Sequence, residues 1–313
     1  MNSPKVDISV IIPAYMAAGS IAIAISSVEA QTCPPQEVII VDDGSTDATV
    51  EIAQSFQSHF PFCEFCVVRQ TNQGPGAARN RGLNMAQSEL IAFLDADDEW
   101  LPEHLEKTAE RLLDWELTLV AHNEFLVVDG VETLNDSRTR FLERNDAYVA
   151  IYRKGCISTS TVIARRDAIV RAGGFDISLR NGQDVDLWLA ILQEPDAKVE
   201  ILETPLSKYV INPAGINANI SRRHRYFIEI ARRWSAVVAK RPGGSIADLW
   251  FRVAAIHYET FKGHMANGHL GGAIWSCLPC PVNLIDITLK GILGTAPMRP
   301  SFLATIPTKL ERK

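Results

Sequence analysis

The sequence lacks an excess of basic residues, a long uninterrupted apolar run and a recognisable leader. Its 31 Lys and Arg residues are outnumbered by 37 Asp and Glu residues, which gives a formal net charge of −6. This balance excludes a broad nucleic-acid interface, because such a surface needs a basic face to displace counterions from phosphates. No apolar run reaches the ~18 residues of a membrane-spanning helix, and residues 1–12 lack the features of a signal peptide. We therefore expect a cytoplasmic protein without a transmembrane helix.

Cysteine is also scarce, with six residues in the 313-residue chain. Cys63 and Cys66 form one Cys-x-x-Cys pair, and Cys277 and Cys280 form a second. The two pairs stand roughly 210 residues apart, an order of magnitude beyond the usual spacing of zinc ribbons. We interpret the cysteines as buried or incidental thiols, with a zinc site as the alternative.

The composition is that of a folded, soluble protein, with 47% apolar and 22% charged residues. In the first half, short apolar runs alternate with amphipathic stretches. They predict strands at residues 6–12, 37–41, 64–69 and 90–94, and helices at 20–30, 46–57, 75–86 and 102–115. This alternation predicts an α/β fold with a mostly parallel sheet and helices on both faces.

The second half has a looser pattern that becomes mainly helical toward the C-terminus. It predicts strands at 117–128, 160–164 and 198–202, and helices at 185–192, 223–240, 246–263 and 283–293. Asp129-Gly130 predicts a hairpin turn after the long strand. The last helix carries the apolar stripe Ile285, Leu289, Ile292 and Leu293, which favours packing against the rest of the protein or a second subunit, with membrane contact as the alternative.

Polar residues follow three of the predicted strands, at Pro13-Ala14-Tyr15, Asp42-Asp43 and Asp95-Ala96-Asp97-Asp98. In a parallel sheet, ligands bind beyond the carboxyl ends of the strands. The three clusters are therefore expected to meet in one crevice.

Asp95-Ala96-Asp97-Asp98 is the cluster with the clearest chemistry. Mg²⁺ or Mn²⁺ accepts one or two carboxylates together with phosphate oxygens, and so can join a diphosphate to an acidic protein surface. The alternative is a solvated acidic turn that caps the helix starting near Pro102. Asp43 could accept the N–H of a nucleobase, but the same segment also supplies helix caps in Ser45, Thr46 or Asp47.

Together these segments resemble the inverting family 2 glycosyltransferases of GT-A fold. The matching blocks cover roughly residues 6–210 and are specific because five occur in order. They are Ser9-Val10-Ile11-Ile12-Pro13-Ala14-Tyr15; Val41-Asp42-Asp43-Gly44-Ser45-Thr46-Asp47; Asn72-Gln73-Gly74 with Ala78-Arg79-Asn80; Phe93-Leu94-Asp95-Ala96-Asp97-Asp98; and Gly173-Gly174-Phe175 with Gln183-Asp184-Val185-Asp186-Leu187-Trp188.

The resemblance implies a role for each matching residue. The nucleobase would lie against Pro13, Ala14 and Tyr15, and its edge would be hydrogen-bonded by Asp43. Arg79 would lie beside the nucleotide and Asp95 near the ribose. Asp97 would bind Mn²⁺ or Mg²⁺, and Asp184 would be the general base. An inverting transfer needs one carboxylate to take the acceptor proton while a metal ion absorbs charge on the leaving diphosphate.

Asp186 is the alternative to Asp184 as base. In a helix two residues apart point about 200° away from each other, so only one of them can face the donor. We favour Asp184 because it occupies the acidic position of the family motif; its other interpretation is an N-terminal helix acid that interacts with the helix dipole.

Two segments depart from the family pattern. Met16-Ala17-Ala18 follows Tyr15 where the family usually has a polar residue, which makes the base selectivity less defined. Many relatives also place a histidine near the end of the strand at 206–211, where this chain has Asn212. Asn212, His224 or water could complete the metal site, and we assign no third protein ligand.

The resemblance implies that residues 1–215 form the GT-A catalytic domain. Its nucleotide-binding half would be residues 6–115 and its acceptor-side half residues 116–215. Residues 216–313 form a helical C-terminal extension. We expect transfer from a nucleotide diphosphate sugar, with uridine favoured, to a hydroxyl on a saccharide or lipid-linked acceptor. Bacterial surface polysaccharide or glycolipid synthesis, at the inner face of the membrane, would suit this activity.

Three other functions compete with this interpretation. A phosphatase of the Asp-x-Asp type would use Asp95 as nucleophile and Asp97 as acid, but its motif belongs on an early strand, followed by a small turn. A nucleotidyltransferase would need a basic glycine-rich loop where Ala17-Ala18-Gly19 stands. A protein that only binds nucleotide sugars would not need Asp184.

Overall fold

The computed structural model describes residues 7–211 and 219–303. Nine strands belong to a single sheet. They are β1 (Ile8–Ala14), β2 (Glu37–Asp42), β3 (Glu64–Arg69), β4 (Leu90–Phe93), β5 (Glu99–Trp100), β6 (Leu119–Val128), β7 (Val131–Asn135), β8 (Ile163–Arg165) and β9 (Val199–Val210).

The described segments contain twelve α-helices. They are α1 (Ile21–Glu29), α2 (Thr49–Ser55), α3 (Pro75–Met85), α4 (His104–Asp114), α5 (Ser137–Leu142), α6 (Ala147–Lys154), α7 (Arg166–Arg171), α8 (Gln183–Ile191), α9 (Ile220–Lys240), α10 (Ile246–Ala266), α11 (Leu270–Cys277) and α12 (Cys280–Leu293).

The strand order is β3-β2-β1-β4-β8-β6-β9-β5, with β7 paired to β6. The first four strands in this order are parallel, as the alternating sequence pattern predicts. Beyond β4 the sheet is mixed, because β8 pairs antiparallel with both β4 and β6 while β6 and β9 are parallel. The carboxyl ends of β1, β2 and β4 therefore lie along one edge, where the acidic segments follow.

The core lies on both faces of the sheet, as expected for an α/β fold. Alternate residues of β1 point to opposite faces, so Ile11 joins the cluster under α3 and α8. Val10 and Ile12 join the cluster under α1 and α4. Helices therefore cover both faces of the central strands.

The structure corrects four local predictions. Strand β1 continues through Pro13, which pairs with Val41. Helix α2 begins at Thr49 without a cap from Ser45 or Thr46, because the Ser45 hydroxyl instead accepts a hydrogen bond from the backbone of Met16, at 2.9 Å. The segment predicted as a strand at 160–164 is a 3₁₀ turn followed by the short β8, and the strand predicted at 198–202 extends to Val210.

The C-terminal helices form a bundle in which α9 packs against α10 and α12. The proposed domain boundary between residues 215 and 216 lies outside the described residues. Helices α11 and α12 together span Leu270–Leu293, a stretch that is long and apolar enough to cross a membrane by length and composition alone. This stretch is not an uninterrupted apolar run, because it contains polar residues that include Asn283 and Asp286.

Candidate active site

The ends of β1 and β2 build the first wall of the site. Pro13 and Ala14 are the last residues of β1, and Tyr15 follows with 56% of its surface exposed. The backbone after Tyr15 is hydrogen-bonded to the start of α2, since Ala17 donates to Thr49 Oγ1 at 2.8 Å. Ala18 donates to Asp47 Oδ2 at 3.1 Å. Backbone amides therefore make these contacts, although no polar side chain follows Tyr15.

Asp43 is 3% exposed and holds the loop that leads into α3. Its Oδ1 accepts from the Gln73 backbone at 2.9 Å and its Oδ2 from the Gly74 backbone at 2.7 Å. Oδ1 also accepts from the Gln70 side chain at 2.8 Å. The residue expected at the base edge is thus also the anchor of the loop after β3.

The carboxylates of the acidic segment after β4 lie in two environments, one buried and one at the strand tip. Asp98 is 2% exposed and binds inward, accepting from Ser160 Oγ at 2.5 Å and from the Val210 backbone at 3.2 Å. Asp95 and Asp97 are partly exposed at the strand tip. Burial, together with the charge of Asp95, raises the pKa of Asp97 to about 6.

Arg79 is the cation beside this tip. Its guanidinium donates to Asp95 Oδ1 and lies 5.3 Å from the centre of the Phe175 ring. Only 6% of Arg79 is exposed, which fixes its charge next to the acidic segment. Arg79 and Asp95 therefore form one ion pair at the mouth of the sheet.

Asn80 connects α3 to the turn before α8. Its side chain accepts from the Phe175 backbone and donates to the Phe175 carbonyl, each at 2.8 Å. Gly174 lies in the left-handed region at φ +76°, and a Cβ there would be 2.7 Å from Asn80 Oδ1. A glycine is required at this close approach, and the contact positions the segment that carries Asp184.

A cavity of about 290 Å³ opens next to the strand tip. Arg79, Asp95 and Asp184 line it together, while Pro13, Ala14, Tyr15, Asp43 and Asp97 lie outside its lining. Asp184 is in the first turn of α8, and burial raises the pKa of its carboxyl, with the charge of Asp95 adding to the effect. A carboxylate with a raised pKa is suited to accept a proton.

Asp186 lies in a different environment, although it is only two residues from Asp184. It is fully buried and pairs with Arg233 at 3.0 Å and with Arg299 at 2.9 Å. It also accepts from Trp234 Nε1 at 2.9 Å. Asp186 therefore connects α8 to α9 and to the C-terminal segment, away from the cavity.

Glu124 is a cavity residue that the sequence reasoning missed. It is 1% exposed in β6, and its Oε1 accepts from Ser158 at 2.5 Å and from Asn135 at 2.8 Å. Burial raises the pKa of this carboxyl, and the charge of Asp184 acts in the same direction. An acid in the middle of the apolar run at 119–128 was the signal that could have identified it.

The donor atoms at the β4 tip fit a hard divalent cation. Asp97 and the remaining oxygen of Asp95 are carboxylate ligands of the kind that Mg²⁺ and Mn²⁺ accept alongside phosphate and water oxygens. In residues 7–211 and 219–303, no group of three or more His, Cys, Asp or Glu side chains is placed to hold a metal ion. A cation here would depend on ligands from its substrate.

The residues considered as a third metal ligand are placed differently. Asn212 lies outside the described residues. His224 is in α9, where it donates to Thr260 Oγ1 at 2.9 Å and contacts the His257 ring at a centroid distance of 4.6 Å. His224 therefore belongs to the C-terminal bundle.

The sheet order and the acidic strand tip define a protein of GT-A fold. A model described as "Glycosyl transferase family 2" matches residues 9–169, just over half of the chain. The chain belongs to this family of glycosyltransferases, which confirms the resemblance carried by the five sequence blocks.

Several named relatives align with the chain. An uncharacterized glycosyltransferase of Escherichia coli K12, YibD, is 32% identical over 72% of this chain and 66% of its own length. The putative teichuronic acid biosynthesis glycosyltransferase TuaG of Bacillus subtilis is 30% identical over 62% and 75% of the two chains. WfgD of E. coli is 28% identical over 74% and 85%. The chain thus spans just under two thirds of YibD.

Solved structures share the fold at lower identity. S. aureus TarS 1–349 in complex with UDP-GlcNAc has a TM-score of 0.65 at 20% identity, over 91% of this chain and 81% of that 1–349 fragment. The mannosyltransferase PcManGT of Pyrobaculum calidifontis, in complex with GDP-Man and Mn²⁺, has a TM-score of 0.63 at 18% identity, over 93% and 88%. These likenesses confirm the GT-A type architecture and its helical C-terminal region.

Proposed function

We propose that this protein is an inverting glycosyltransferase that moves a sugar from a nucleotide diphosphate donor to a hydroxyl acceptor. The observation that carries the proposal is the placement of Asp184 in one cavity with the Arg79–Asp95 pair, beside the acidic tip of β4. The cavity adjoins the edge where ligands of α/β sheets bind. Membership of family 2 supports the same activity.

The proposed chemistry is a single displacement. The acceptor oxygen forms a bond to the anomeric carbon, the bond from that carbon to the diphosphate oxygen breaks, and the nucleoside diphosphate leaves with the electron pair. Asp184 takes the proton of the acceptor hydroxyl. Arg79 holds Asp95 in place beside the nucleotide. Attack from the face opposite the leaving group inverts the anomeric configuration.

The proposed donor site follows the ends of β1, β2 and β4. Pro13, Ala14 and Tyr15 wall the base, Asp43 meets its edge and Asp95 lies near the ribose. A uridine donor is favoured by the printed name of WfgD, which begins with UDP-Glc, and by the UDP-GlcNAc complex of TarS. Asp97 would hold Mn²⁺ or Mg²⁺, which supplies charge neutralisation of the diphosphate when bound.

The proposed acceptor is a saccharide, carried by a lipid during surface polysaccharide synthesis. WfgD is named as acting on α-D-GlcNAc-diphosphoundecaprenol, and TuaG for teichuronic acid biosynthesis. A lipid-linked acceptor would bring the enzyme to the cytoplasmic face of a membrane. We propose that the chain has a catalytic domain at residues 1–215, followed by a helical extension at residues 216–313 that could meet the membrane carrying this acceptor.

We also propose that α11 and α12 lie on the membrane surface. Their outward face is apolar and largely exposed, through Ile274, Trp275, Leu278, Val282, Ile285, Leu289, Ile292 and Leu293. The opposite side of α12 packs on the bundle through Asn283, Ile287 and Gly291. Asp286, at the edge of the apolar face, pairs with Arg232 at 2.7 Å. A groove beside this face is lined by Arg225, Glu229, Arg232, Arg233 and Lys290. Arg232, Arg233 and Lys290 are paired with carboxylates of the protein, so Arg225 is the cation of this groove best placed to meet an anionic lipid headgroup.

The transfer reaction is tested with UDP-glucose and UDP-GlcNAc as donors and a prenyl diphosphate sugar as acceptor. We expect acceptor-dependent release of UDP and an inverted anomeric centre in the product, measured by NMR. Asp184→Asn should lose roughly 100- to 10,000-fold in rate. The matched control Asp167→Asn removes an exposed first-turn acid of α7 and should keep full activity. Retention of configuration, or an Asp184→Asn variant as active as Asp167→Asn, would contradict the proposal.

Membrane contact is tested by sedimentation with phosphatidylglycerol vesicles. The wild type should bind, and a Leu278→Glu, Ile285→Glu, Leu289→Glu variant should remain in solution. Phe62→Glu changes an apolar residue that is 90% exposed elsewhere and should bind like the wild type. Equal sedimentation of all three proteins would contradict the membrane role of this face.

A further inference from the structure

A second cavity, of about 600 Å³, lies between the C-terminal end of α6 and helices α9 and α10. Its lining is strongly basic, with Arg140, Arg153, Lys154, Arg223 and Arg252 against the single carboxylate of Glu259. Gly155 and Phe227 line this cavity and also the one that contains Asp184. The two cavities are therefore neighbours that share a wall.

Some of these cations have carboxylate partners within the protein. Arg153 pairs with Asp248 at 2.6 Å, and Lys154 pairs with Glu143 at 3.1 Å. Within residues 7–211 and 219–303, Arg140 donates to three neutral acceptors, the Asp136 carbonyl, Asn135 Oδ1 and Ser137 Oγ.

The remaining cations lack such partners. In the described part of the chain, none of Arg140, Arg223 and Arg252 forms an ion pair within 4 Å. Three guanidinium groups at this cavity therefore lack a directly paired carboxylate, although the charge of Asp184 acts on Arg252 and those of Glu124 and Asp136 act on Arg140.

Arg252 is the most informative of the three. It is 6% exposed, and within the described residues its Nη2 has no hydrogen-bond partner. Its guanidinium lies 5.1 Å from the centre of the Phe227 ring. A buried guanidinium without a directly paired carboxylate is costly, so its unpartnered Nη2 on the cavity wall indicates an anionic ligand that completes it.

Gly155 allows this arrangement. It ends α6 in the left-handed region at φ +54°, and a Cβ there would lie 3.6 Å from both terminal nitrogens of Arg252. The backbone at Gly155 is thus the thin wall between Arg252 and the Asp184 cavity. An anion held by Arg252 would therefore lie next to the cavity that contains Asp184.

We propose that this basic cavity binds an oxyanion carried by the acceptor, a phosphate or diphosphate group next to the acceptor sugar. Guanidinium groups recognise phosphate oxygens through paired N–H donors, and three that form no ion pair line this cavity. Phe227, Phe251 and Tyr258 supply aromatic walls for the sugar or the group beyond it. A uronic acid would offer the same oxyanion chemistry through its carboxylate. The inference rests on the proposed glycosyl transfer and names the class of acceptor.

The first test is a calorimetric titration of inorganic pyrophosphate in the presence of a chelator. Without a divalent cation, the donor site at Asp97 does not contribute. We expect binding that Arg223→Gln and Arg140→Gln each weaken roughly tenfold, the loss of one charge-assisted hydrogen bond. Arg138→Gln is the matched control, because this exposed α5 residue is paired with Glu203 and lies outside the cavity lining. It should change the affinity less than about twofold, as expected for an exposed pair.

The ligand class is tested with glucose 1-phosphate, glucuronic acid and methyl glucoside under the same conditions. Tightest binding of glucose 1-phosphate supports the phosphate assignment, and tightest binding of glucuronic acid overturns it in favour of a carboxylate. Equal binding of the neutral glucoside, or no effect of Arg223→Gln and Arg140→Gln, overturns the oxyanion site altogether. Asp97→Ala should bind pyrophosphate like the wild type, so a failed donor site and a failed acceptor site give different results.

Discussion

The carboxylate of Asp186 in α8 accepts a hydrogen bond from Arg299 Nε at 3.0 Å, although 113 residues separate them in the chain. Arg233 of α9 approaches the other oxygen of the same carboxylate, also at 3.0 Å. Asp186 thereby joins the helix that carries Asp184 to both the bundle and the C-terminal segment. The two acids of this motif have separate tasks, one in the cavity and one in the packing.

Asp186→Asn should destabilise the protein by about 3–5 kcal/mol, because it leaves two cations around a buried neutral amide. Asp184→Asn should not reduce stability, since a carboxyl whose pKa is raised in the folded state is less favourable there when it is ionised. Urea unfolding of both variants measures the difference. Equal destabilisation by the two substitutions would show that both acids support the packing.

The rate of transfer should rise with pH on the acid side of its profile. As the proposed base, Asp184 can accept a proton only when it is ionised, and its raised pKa places this acid limb above pH 3.8. The charge of Arg79 lowers that pKa, so Arg79→Gln should move the limb to higher pH. The dependence of kcat/KM on pH checks this. A limb that stays in place in Arg79→Gln and is lost in Glu124→Gln would assign the titrating base to Glu124.

The strand tips and Asp184 could be predicted because their signals are local. An apolar run followed by Asp95-Ala96-Asp97-Asp98 indicates the edge of a parallel sheet. The five motif blocks, which occur in the family's order, identify the family. The start of α2 could not be predicted from its own segment. Asp47 accepts from the Thr49 backbone at the start of α2 through Oδ1, at 3.1 Å, and from the Ala18 backbone across the site through Oδ2, while Thr49 Oγ1 accepts from Ala17.

The environments of residues whose partners lie far away in the chain could not be predicted from the sequence. Glu124 becomes a cavity residue only because Ser158, 34 residues later, approaches its carboxylate. The partners of Asp186 come from α9 and the C-terminal segment. The second half of the sheet is mixed because β8 joins β4 to β6, and such pairing depends on register between strands rather than on the pattern of either strand.

A buried pair of histidines should make the stability depend on pH. His122 Nδ1 donates to the Asn123 carbonyl at 2.7 Å, so its Nε2 accepts from His104 Nδ1 at 2.8 Å and both rings are neutral. Burial lowers both pKa values, that of His122 to about 4. The unfolded state therefore binds more protons between pH 6.5 and 4. The unfolding free energy should be highest above pH 6.5. Protonation of His122 in the unfolded state should by itself lower it by about 3 kcal/mol as the pH falls to 4.

The measurement is urea unfolding at a series of pH values, with His122→Asn for comparison. Removing the titrating ring should make the slope between pH 6.5 and 4 shallower. An unchanged slope in the variant would mean that the acid sensitivity comes from other groups.

Gly74→Ala should disturb the entrance to α3. Gly74 has φ +94°, and a Cβ there would lie 2.6 Å from Arg180 Nη1, a residue that lines the Asp184 cavity. The strained backbone alone should cost about 1–3 kcal/mol, and displacement of Arg180 should lower the transfer rate. Gly19→Ala is the matched control, because a Cβ at Gly19 meets nothing within 4 Å. Thermal unfolding and UDP release compare them, and equal behaviour of the two variants would contradict the close approach.

The most direct test of the account is calorimetric titration of UDP into the wild type and into Asp97→Ala, with Mn²⁺ and with a chelator. The donor site described here predicts UDP binding that requires the metal ion and is abolished by the substitution, while GDP binds more weakly. Absence of UDP and GDP binding with any divalent cation, or equal binding by Asp97→Ala, would contradict it.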